Sequence, residues 1–255
     1  MTVTRTAADL REALGAVSDV DAAREIGQWL ADRRADLKSA DRATLIDELA
    51  MYQELDRRLQ AHMNVIAAQA YEGRHPKHWL WKGHKQFILD RVRSGERVLD
   101  VGCGASAYLL WMAERGAKVT AIDNRPEPIA LAKSIMSHPN LRFEQRDAVR
   151  ETPAEQYDLV ICSHVIEHID DPVALLGALR AWAPRLIVAV PPEDSRWQKV
   201  MFRELGLPWK DDEDHRREYT PELLRAQVEE AGWRITEMHA GIDIKCVAER
   251  SGARN

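Results

Sequence analysis

Cysteines and long apolar runs are both scarce in this sequence of 255 residues, and each scarcity excludes a class of protein. The three cysteines, Cys103, Cys162 and Cys246, are odd in number and widely spaced, so they predict neither a disulfide framework nor a zinc ribbon. This cysteine usage fits a reducing, cytoplasmic setting. No apolar run approaches the roughly 20 residues of a membrane-spanning helix, and Met1–Ala13 lacks the apolar core of a signal peptide. We therefore expect a soluble protein.

An excess of positive charge is also missing. The net charge is -5, whereas broad affinity for nucleic acids depends on clustered lysine and arginine. The sequence therefore does not predict a nucleic-acid partner. Hydrophobic residues make up 45% of the chain, which is typical of a globular protein with a substantial core.

The region 1–75 is rich in alanine, leucine and arginine and has no strand-like run. Apolar side chains recur there at steps of three or four residues or sums of these, which predicts an amphipathic helix. They are Leu45, Leu49, Tyr52, Leu59, Met63 and Ile66. We interpret 1–75 as a helical extension that packs either on the following domain or on a second subunit of a homo-oligomer.

From Val98 onward, short apolar runs alternate with helical segments, as in a parallel sheet with crossover helices. We predict an α/β domain over 76–255 with a Rossmann-like, seven-stranded, mostly parallel sheet that ends in an antiparallel hairpin. The predicted strands are Val98–Val101, Lys118–Ile122, Leu141–Gln145, Tyr157–Cys162, Leu186–Val190, Trp233–His239 and Ile242–Ala248.

A glycine-rich turn follows the first predicted strand and indicates a ligand site. Asp100–Gly104 reads Asp-Val-Gly-Cys-Gly, and glycine lets the backbone approach a ligand closely. Asp123 ends the next strand, where an acidic side chain can bind the hydroxyls of an adenosine ribose. A third glycine, typical of nicotinamide-binding turns, is missing because Ala107 and Tyr108 follow.

This stretch, Val98–Asp123, resembles the first motif of the class I S-adenosylmethionine-dependent methyltransferases and its acidic partner. The resemblance covers roughly Trp79–Val247 and implies S-adenosylmethionine as the cofactor. It also implies a lid before the motif, an adenine contact after the third strand and a methionine contact after the fourth. The cofactor-binding residues predicted on this basis are Asp100, Gly102, Cys103, Gly104, Asp123, Asn124, Asp147, Ala148, Ser163 and, in the lid, Trp81.

A cluster of metal-binding side-chain types follows the fourth strand. His164, Glu167 and His168 share one face if the segment forms a helical turn, and His215 could complete a divalent-metal site. The pattern is similar to the Glu-x-x-Glu-His motif of magnesium-dependent O-methyltransferases. Here a histidine, His164, stands at the first position, whereas magnesium prefers oxygen ligands. The candidate ions therefore include manganese or another transition ion as well as magnesium. The alternative is that the Glu-His pair only orders the turn.

The remaining predictions concern the acceptor. An acceptor hydroxyl needs a base or a metal, and the candidate catalytic residues are His164, His168 and Asp194. Tryptophan beside carboxylates suits a sugar, so Glu193, Trp197 and Trp209 are the candidate substrate residues. The loops resemble bacterial polysaccharide methyltransferases, including those that methylate mannose units, which implies a sugar or oligosaccharide acceptor. The alternatives are O-methylation of a phenol or quinone precursor and a non-catalytic cofactor-binding scaffold.

Overall fold

The computed structural model of the protein describes residues 19–70, 82–151, 153–194, 196–210, 212 and 214–251. Contacts within the chain divide it into two compact units, Met1–His75 and Pro76–Asn255. Each unit is described by itself below. Among the described residues, no helix combines the length and the hydropathy required to cross a bilayer.

Two helices make up the described part of the first unit. They are α1, Asp19–Asp36, and α2, Arg42–Ala70, which are joined by the 3₁₀ turn Leu37–Ser39. The carboxylate of Asp41 accepts a hydrogen bond of 2.8 Å from the Thr44 amide, which satisfies one of the free amides at the start of α2. Trp29 packs edge-on against Tyr52. The predicted apolar stripe therefore lies on one long helix, and its members Leu59, Met63 and Ile66 are about half exposed.

The second unit is an α/β sandwich around one seven-stranded sheet. Its helices are α3 Lys82–Leu89, α4 Tyr108–Glu114, α5 Pro126–Ile135, α6 Pro172–Leu179, α7 Trp197–Glu204 and α8 Pro221–Glu230. Its strands are β1 Arg97–Val101, β2 Lys118–Asp123, β3 Leu141–Gln145, β4 Leu159–Ser163, β5 Arg185–Val190, β6 Trp233–Ala240 and β7 Ile244–Arg250. The strand order is β3-β2-β1-β4-β5-β7-β6. The first five strands are parallel and β7 is antiparallel to both neighbours. The predicted fold class is confirmed.

Alternation along the central strands sends side chains to two separate cores. On one face, Leu99, Val160 and Val188 pack with Trp182 and Trp233. On the other face, the neighbouring strand residues pack with α4 and α5. The two cores cover both sides of β4 and β5, which explains why these strands read as continuous apolar runs.

Several element boundaries differ from the sequence prediction. The hairpin turn occupies 241–243, where the Gly241 amide bonds to the Asp243 carbonyl, so β7 begins at Ile244 and not at Ile242. Helix α6 ends at Leu179 because a turn of shorter-range hydrogen bonds continues to Trp182. Trp197–Glu204, for which no helix was predicted, forms α7.

Strand order decides where a ligand can bind. From β1 the chain proceeds outward to β2 and β3, whereas β4 returns to the other side of β1 and leads to β5. Open α/β sheets bind ligands outside the carboxyl ends of the strands at such a reversal. The crevice between the ends of β1 and β4 is therefore the candidate site, and it lies at the predicted glycine turn.

Candidate active site

The glycine turn at the end of β1 adopts a backbone that side chains disfavour. Gly102 has a φ of +67° and Gly104 a φ of +51°. A Cβ on Gly102 would lie 2.5 Å from Cγ2 of Val165, so this position is closed by the loop after β4. At Gly104 no described atom lies within 4 Å of an added Cβ. The backbone at Gly104 is therefore open to a ligand, while Gly102 permits the close approach of the two loops.

Asp100 lies within the sheet, where it organises the turn. Its side chain is fully buried, and Oδ1 accepts a hydrogen bond of 2.8 Å from the Tyr108 hydroxyl. Burial raises the pKa of Asp100 to about 7. The hydrogen bond from Tyr108 lowers this pKa, whereas the charge of Asp123 makes a smaller contribution that raises it. Tyr108 therefore helps to hold the buried carboxylate of Asp100 in place.

The remaining predicted cofactor residues meet at the carboxyl edge of the sheet. Asp123 ends β2, is 6% exposed, and accepts a hydrogen bond of 3.0 Å from the Arg125 amide. Asp123 is paired in register with Gln145, and Asp147 follows two residues later in the chain. The Asp147 carboxylate accepts hydrogen bonds from the amides of Val149 and Arg150 and so closes a local turn.

Other residues of the predicted cofactor site differ in their solvent exposure. Cys103 is buried, and its amide donates to the Ile122 carbonyl, so it fixes the turn to β2. Ala148 is buried, and Asn124 is exposed with its carbonyl bonded to Gln145. Trp81 lies outside the described residues.

Three of the four predicted metal ligands lie together. Ligand atoms of Glu167, His168 and His215 lie within 4.8 Å of one another, and the two imidazole rings contact edge-on. Glu167 is 1% exposed, and among the described residues neither of its carboxylate oxygens has a hydrogen-bond partner. His215 Nδ1 lies 2.8 Å from Oε1 of Glu218, which leaves Nε2 as its ligating nitrogen.

His164 departs from the arrangement that the sequence predicted. The 3₁₀ turn comprises only Ile166–His168, and His164 precedes it with a positive φ of 55°. The left-handed backbone turns this residue away from the shared face that a continuous helical turn would give. Its Nδ1 still lies 3.4 Å from Oε1 of Glu167, but its potential ligand atom groups with those of His84 and Asp243.

The predicted acceptor residues lie on the loop after β5, on α7 and, for Trp209, in the segment after α7. Glu193 forms an ion pair with Arg203, whose guanidinium lies 5.5 Å from the centre of the Trp209 ring. Trp197 begins α7 and is 71% exposed, and Asp194 is also exposed. The structure therefore links Glu193 and Trp209 through Arg203, which the sequence analysis had not singled out.

Two buried polar clusters near this edge were missed by sequence reasoning. In one, Lys199 forms an ion pair with Glu218. In the other, His84 on α3 lies between Asp243 of the hairpin turn and Ser163 at the end of β4. His84 and Asp243 are 159 residues apart, and no local pattern connects them. The only signal was a polar residue on the apolar face of α3.

The sequence can now be compared with known proteins. A family described as a methyltransferase domain matches residues 75–238, which is more than half of the chain. The chain belongs to this family. The predicted enzyme class, a methyltransferase, is confirmed at this level.

Among curated relatives, the chain is 31% identical over 156 residues to a ubiquinone biosynthesis O-methyltransferase of Aeromonas salmonicida. That match covers 56% of this chain and 65% of the relative. A protein with the same description from Pseudomonas fluorescens strain Pf0-1 is 39% identical over 97 residues, which cover 36% of this chain and 42% of the relative. The chain therefore spans less than two thirds of these relatives.

Solved structures support the fold. Magnesium protoporphyrin IX methyltransferase from Synechocystis PCC 6803, with bound SAH, matches at a TM-score of 0.52 and 22% identity, over 66% of this chain and 84% of that chain. A SAM-dependent methyltransferase from Aquifex aeolicus matches at a TM-score of 0.53 and 20% identity, over 64% and 88% of the two chains. These similarities show the methyltransferase fold.

Proposed function

We propose that this methyltransferase transfers a methyl group from S-adenosylmethionine to a hydroxyl of a small phenolic or quinone-related molecule. The observation that carries the proposal is the open glycine turn at Gly104 beside the carboxylate of Asp123, at the point where the strand order reverses. The relatives described as O-methyltransferases support transfer to oxygen. We assign this chemistry to 76–255 and a helical extension to 1–75.

The residues at the sheet edge fit the cofactor. The backbone at Gly104 is uncovered and can contact the amino-acid part of S-adenosylmethionine. The nearly buried Asp123 can accept two hydrogen bonds from the hydroxyls of its ribose. The amide of Ala148 is suited to the adenine ring, and Ser163 to the methionine side. When bound, S-adenosylmethionine supplies a methyl group that its sulfonium already activates. The protein must then align an acceptor oxygen and remove its proton.

The acceptor class is the point at which the comparisons change the sequence interpretation. The loops predicted a sugar or polysaccharide, whereas the relatives carry a description from ubiquinone biosynthesis. We therefore place the phenolic or quinone-related acceptor first. A sugar remains the second candidate, because an exposed tryptophan, Trp197, lies near the charged pair of Glu193 and Arg203 in the sequence.

A divalent metal is the second part of the proposal. Two imidazoles, from His168 and His215, and the carboxylate of Glu167 form a donor set that suits manganese or another transition ion better than magnesium. The buried carboxylate of Glu167, which has no hydrogen-bond partner among the described residues, is the observation that fits a cation. Such an ion would polarise the acceptor hydroxyl and lower its pKa.

Methyl transfer from labelled S-adenosylmethionine to a panel of acceptors tests this function. The panel contains catechols, polyhydroxybenzoates, and manno- and gluco-oligosaccharides, each with EDTA, manganese or magnesium. We expect label on a catechol or hydroxybenzoate, at least a tenfold loss with EDTA, and recovery with manganese. The Glu167→Gln variant should lose the metal response, and Glu222→Gln, at an exposed position on α8, should keep it.

The other outcomes separate the alternatives. Label on oligosaccharides alone would replace the phenolic acceptor with a sugar. Transfer that EDTA leaves unchanged would remove the metal and retain the methyltransferase. Binding of the cofactor without transfer to any acceptor would favour the non-catalytic scaffold and contradict the proposed function.

A further inference from the structure

Three side chains from distant parts of the chain form a hydrogen-bonded row at the end of β4. His84 Nδ1 bonds to Oδ2 of Asp243, and His84 Nε2 lies 3.1 Å from Oγ of Ser163. The residues come from α3, the hairpin turn and the β4 terminus respectively. Ser163 is the member of the row with partial solvent exposure, while His84 is 4% and Asp243 1% exposed. The row therefore connects the crevice with a buried carboxylate.

Charge determines how protons are arranged along this row. Burial raises the pKa of Asp243, but hydrogen bonds from His84 and Lys245 outweigh it, and the pKa lies below its ordinary value. Asp243 is therefore ionised at neutral pH and can only accept hydrogen bonds. His84 must then carry its proton on Nδ1 when neutral, which leaves a lone pair on Nε2 to accept from Ser163.

Three further side chains lie around this row, and one of them, Tyr108, is hydrogen-bonded to Ser163. Burial raises the pKa of Tyr108 well above its ordinary value, so the phenol stays neutral at the edge of the His84 ring. The His164 ring contacts His84 edge-on. Lys245 Nζ lies 2.7 Å from Oδ1 of Asp243 and holds this carboxylate on the side away from His84. An ammonium bonded to the same carboxylate also opposes metal binding by Asp243.

We propose that Asp243, His84 and Ser163 form a proton relay that accepts the proton of the acceptor hydroxyl, an inference that rests on the proposed function. The acceptor oxygen bonds to the methyl carbon as the carbon–sulfur bond breaks, and that electron pair stays on sulfur. The hydroxyl proton passes to Ser163 Oγ, whose own proton passes to His84 Nε2. The resulting imidazolium is stabilised by Asp243, and His84 acts as a positioning residue through Ser163.

Nuclear magnetic resonance of protein labelled with ¹⁵N-histidine tests the arrangement without turnover. We expect His84 to be protonated on Nδ1 alone at pH 7.5, as is His215, whose Nδ1 also bonds to a carboxylate, and only the His84 tautomer should be lost in Asp243→Asn. His239→Gln, which changes an exposed histidine on the same hairpin, should leave the signal unchanged. A His84 signal protonated on Nε2 in the wild type would overturn the relay.

Steady-state kinetics with the acceptor found for the wild type provide the second test. His84→Gln should lower kcat by about 100-fold while KM changes less than about threefold, because the relay acts on proton removal and not on binding. If His84→Gln does not fold, Asp243→Asn is used, with an expected loss of about tenfold or more.

The outcomes distinguish this relay from the proposed function. A wild type that transfers no methyl group but shows the Nδ1 tautomer would contradict the function and leave the row of hydrogen bonds intact. A His84→Gln protein with an unchanged kcat would overturn the relay and leave the methyltransferase intact. Zinc-induced broadening of the His84 signal at stoichiometric zinc would replace the relay with a metal site.

Discussion

Replacement of Gly102 with alanine is expected to lower the free energy of unfolding by about 2–5 kcal/mol. The left-handed backbone at φ +67° costs a non-glycine residue roughly 1–2 kcal/mol. The new Cβ would also lie 2.5 Å from Cγ2 of Val165, and overpacking of this kind costs about 1–3 kcal/mol. Urea denaturation followed by circular dichroism measures the change.

A matched glycine isolates the clash from the backbone strain. Gly95 has a φ of +83° and no atom within 4 Å of an added Cβ, so Gly95→Ala carries the strain alone. The double variant Gly102→Ala, Val165→Ala should relieve much of the clash. The changes in the free energy of unfolding at the two positions are therefore expected to be non-additive. A Gly102→Ala protein no less stable than Gly95→Ala would show that the loop after β4 does not close on the glycine turn.

The second large effect is expected at a buried ion pair. Lys199 Nζ lies 3.1 Å from Oε2 of Glu218 and 3.1 Å from the Pro192 carbonyl, and both charged side chains are almost fully buried. Glu218→Ala should therefore cost about 3–5 kcal/mol, because it removes a carboxylate that is bonded to a buried ammonium. Denaturant unfolding again measures the loss.

Two controls interpret the Glu218 result. Glu229→Ala removes an exposed partner of Arg225 and should cost less than about 0.5 kcal/mol. A Lys199→Met, Glu218→Leu double variant should be more stable than Glu218→Ala, since it removes the buried ammonium together with the carboxylate. A double variant no more stable than Glu218→Ala would contradict the charge argument.

Glu218 also connects stability with the proposed metal site. Its Oε1 lies 2.8 Å from His215 Nδ1 and fixes the imidazole so that Nε2 remains as the ligating nitrogen. Partners of this kind typically contribute 10- to 100-fold to metal affinity. The same carboxylate therefore supports α7 through Lys199 and the candidate ligand through His215.

Local sequence patterns were sufficient for the parts of the fold that depend on neighbours in the chain. The glycine turn at Gly102 and Gly104 and the acidic end of β2 at Asp123 each follow a short apolar run, and the structure places them at one sheet edge. The Thr220 cap was also predictable, and its hydroxyl accepts from the Leu223 amide. In each case the physical cause acts within a few residues.

Features that depend on distant residues could not be predicted. The positive φ of His164 follows from the turn that brings the loop after β4 against Gly102, and the sequence of that loop instead resembles a regular helical turn. His84 meets Asp243 only because the hairpin folds back beside α3. Trp197–Glu204 is polar enough to resemble a loop, yet Lys199 is buried against Glu218 and supports a helix.

Calorimetric titration of S-adenosylhomocysteine into the wild type and Asp123→Ala tests the central claim most directly. We expect one site per chain in the wild type and at least about a 100-fold weaker affinity in the variant, because two charge-assisted hydrogen bonds are lost at about 1.5–3 kcal/mol each. Equal affinity in both proteins, or no binding by the wild type, would contradict a cofactor site at the ends of β1 and β2.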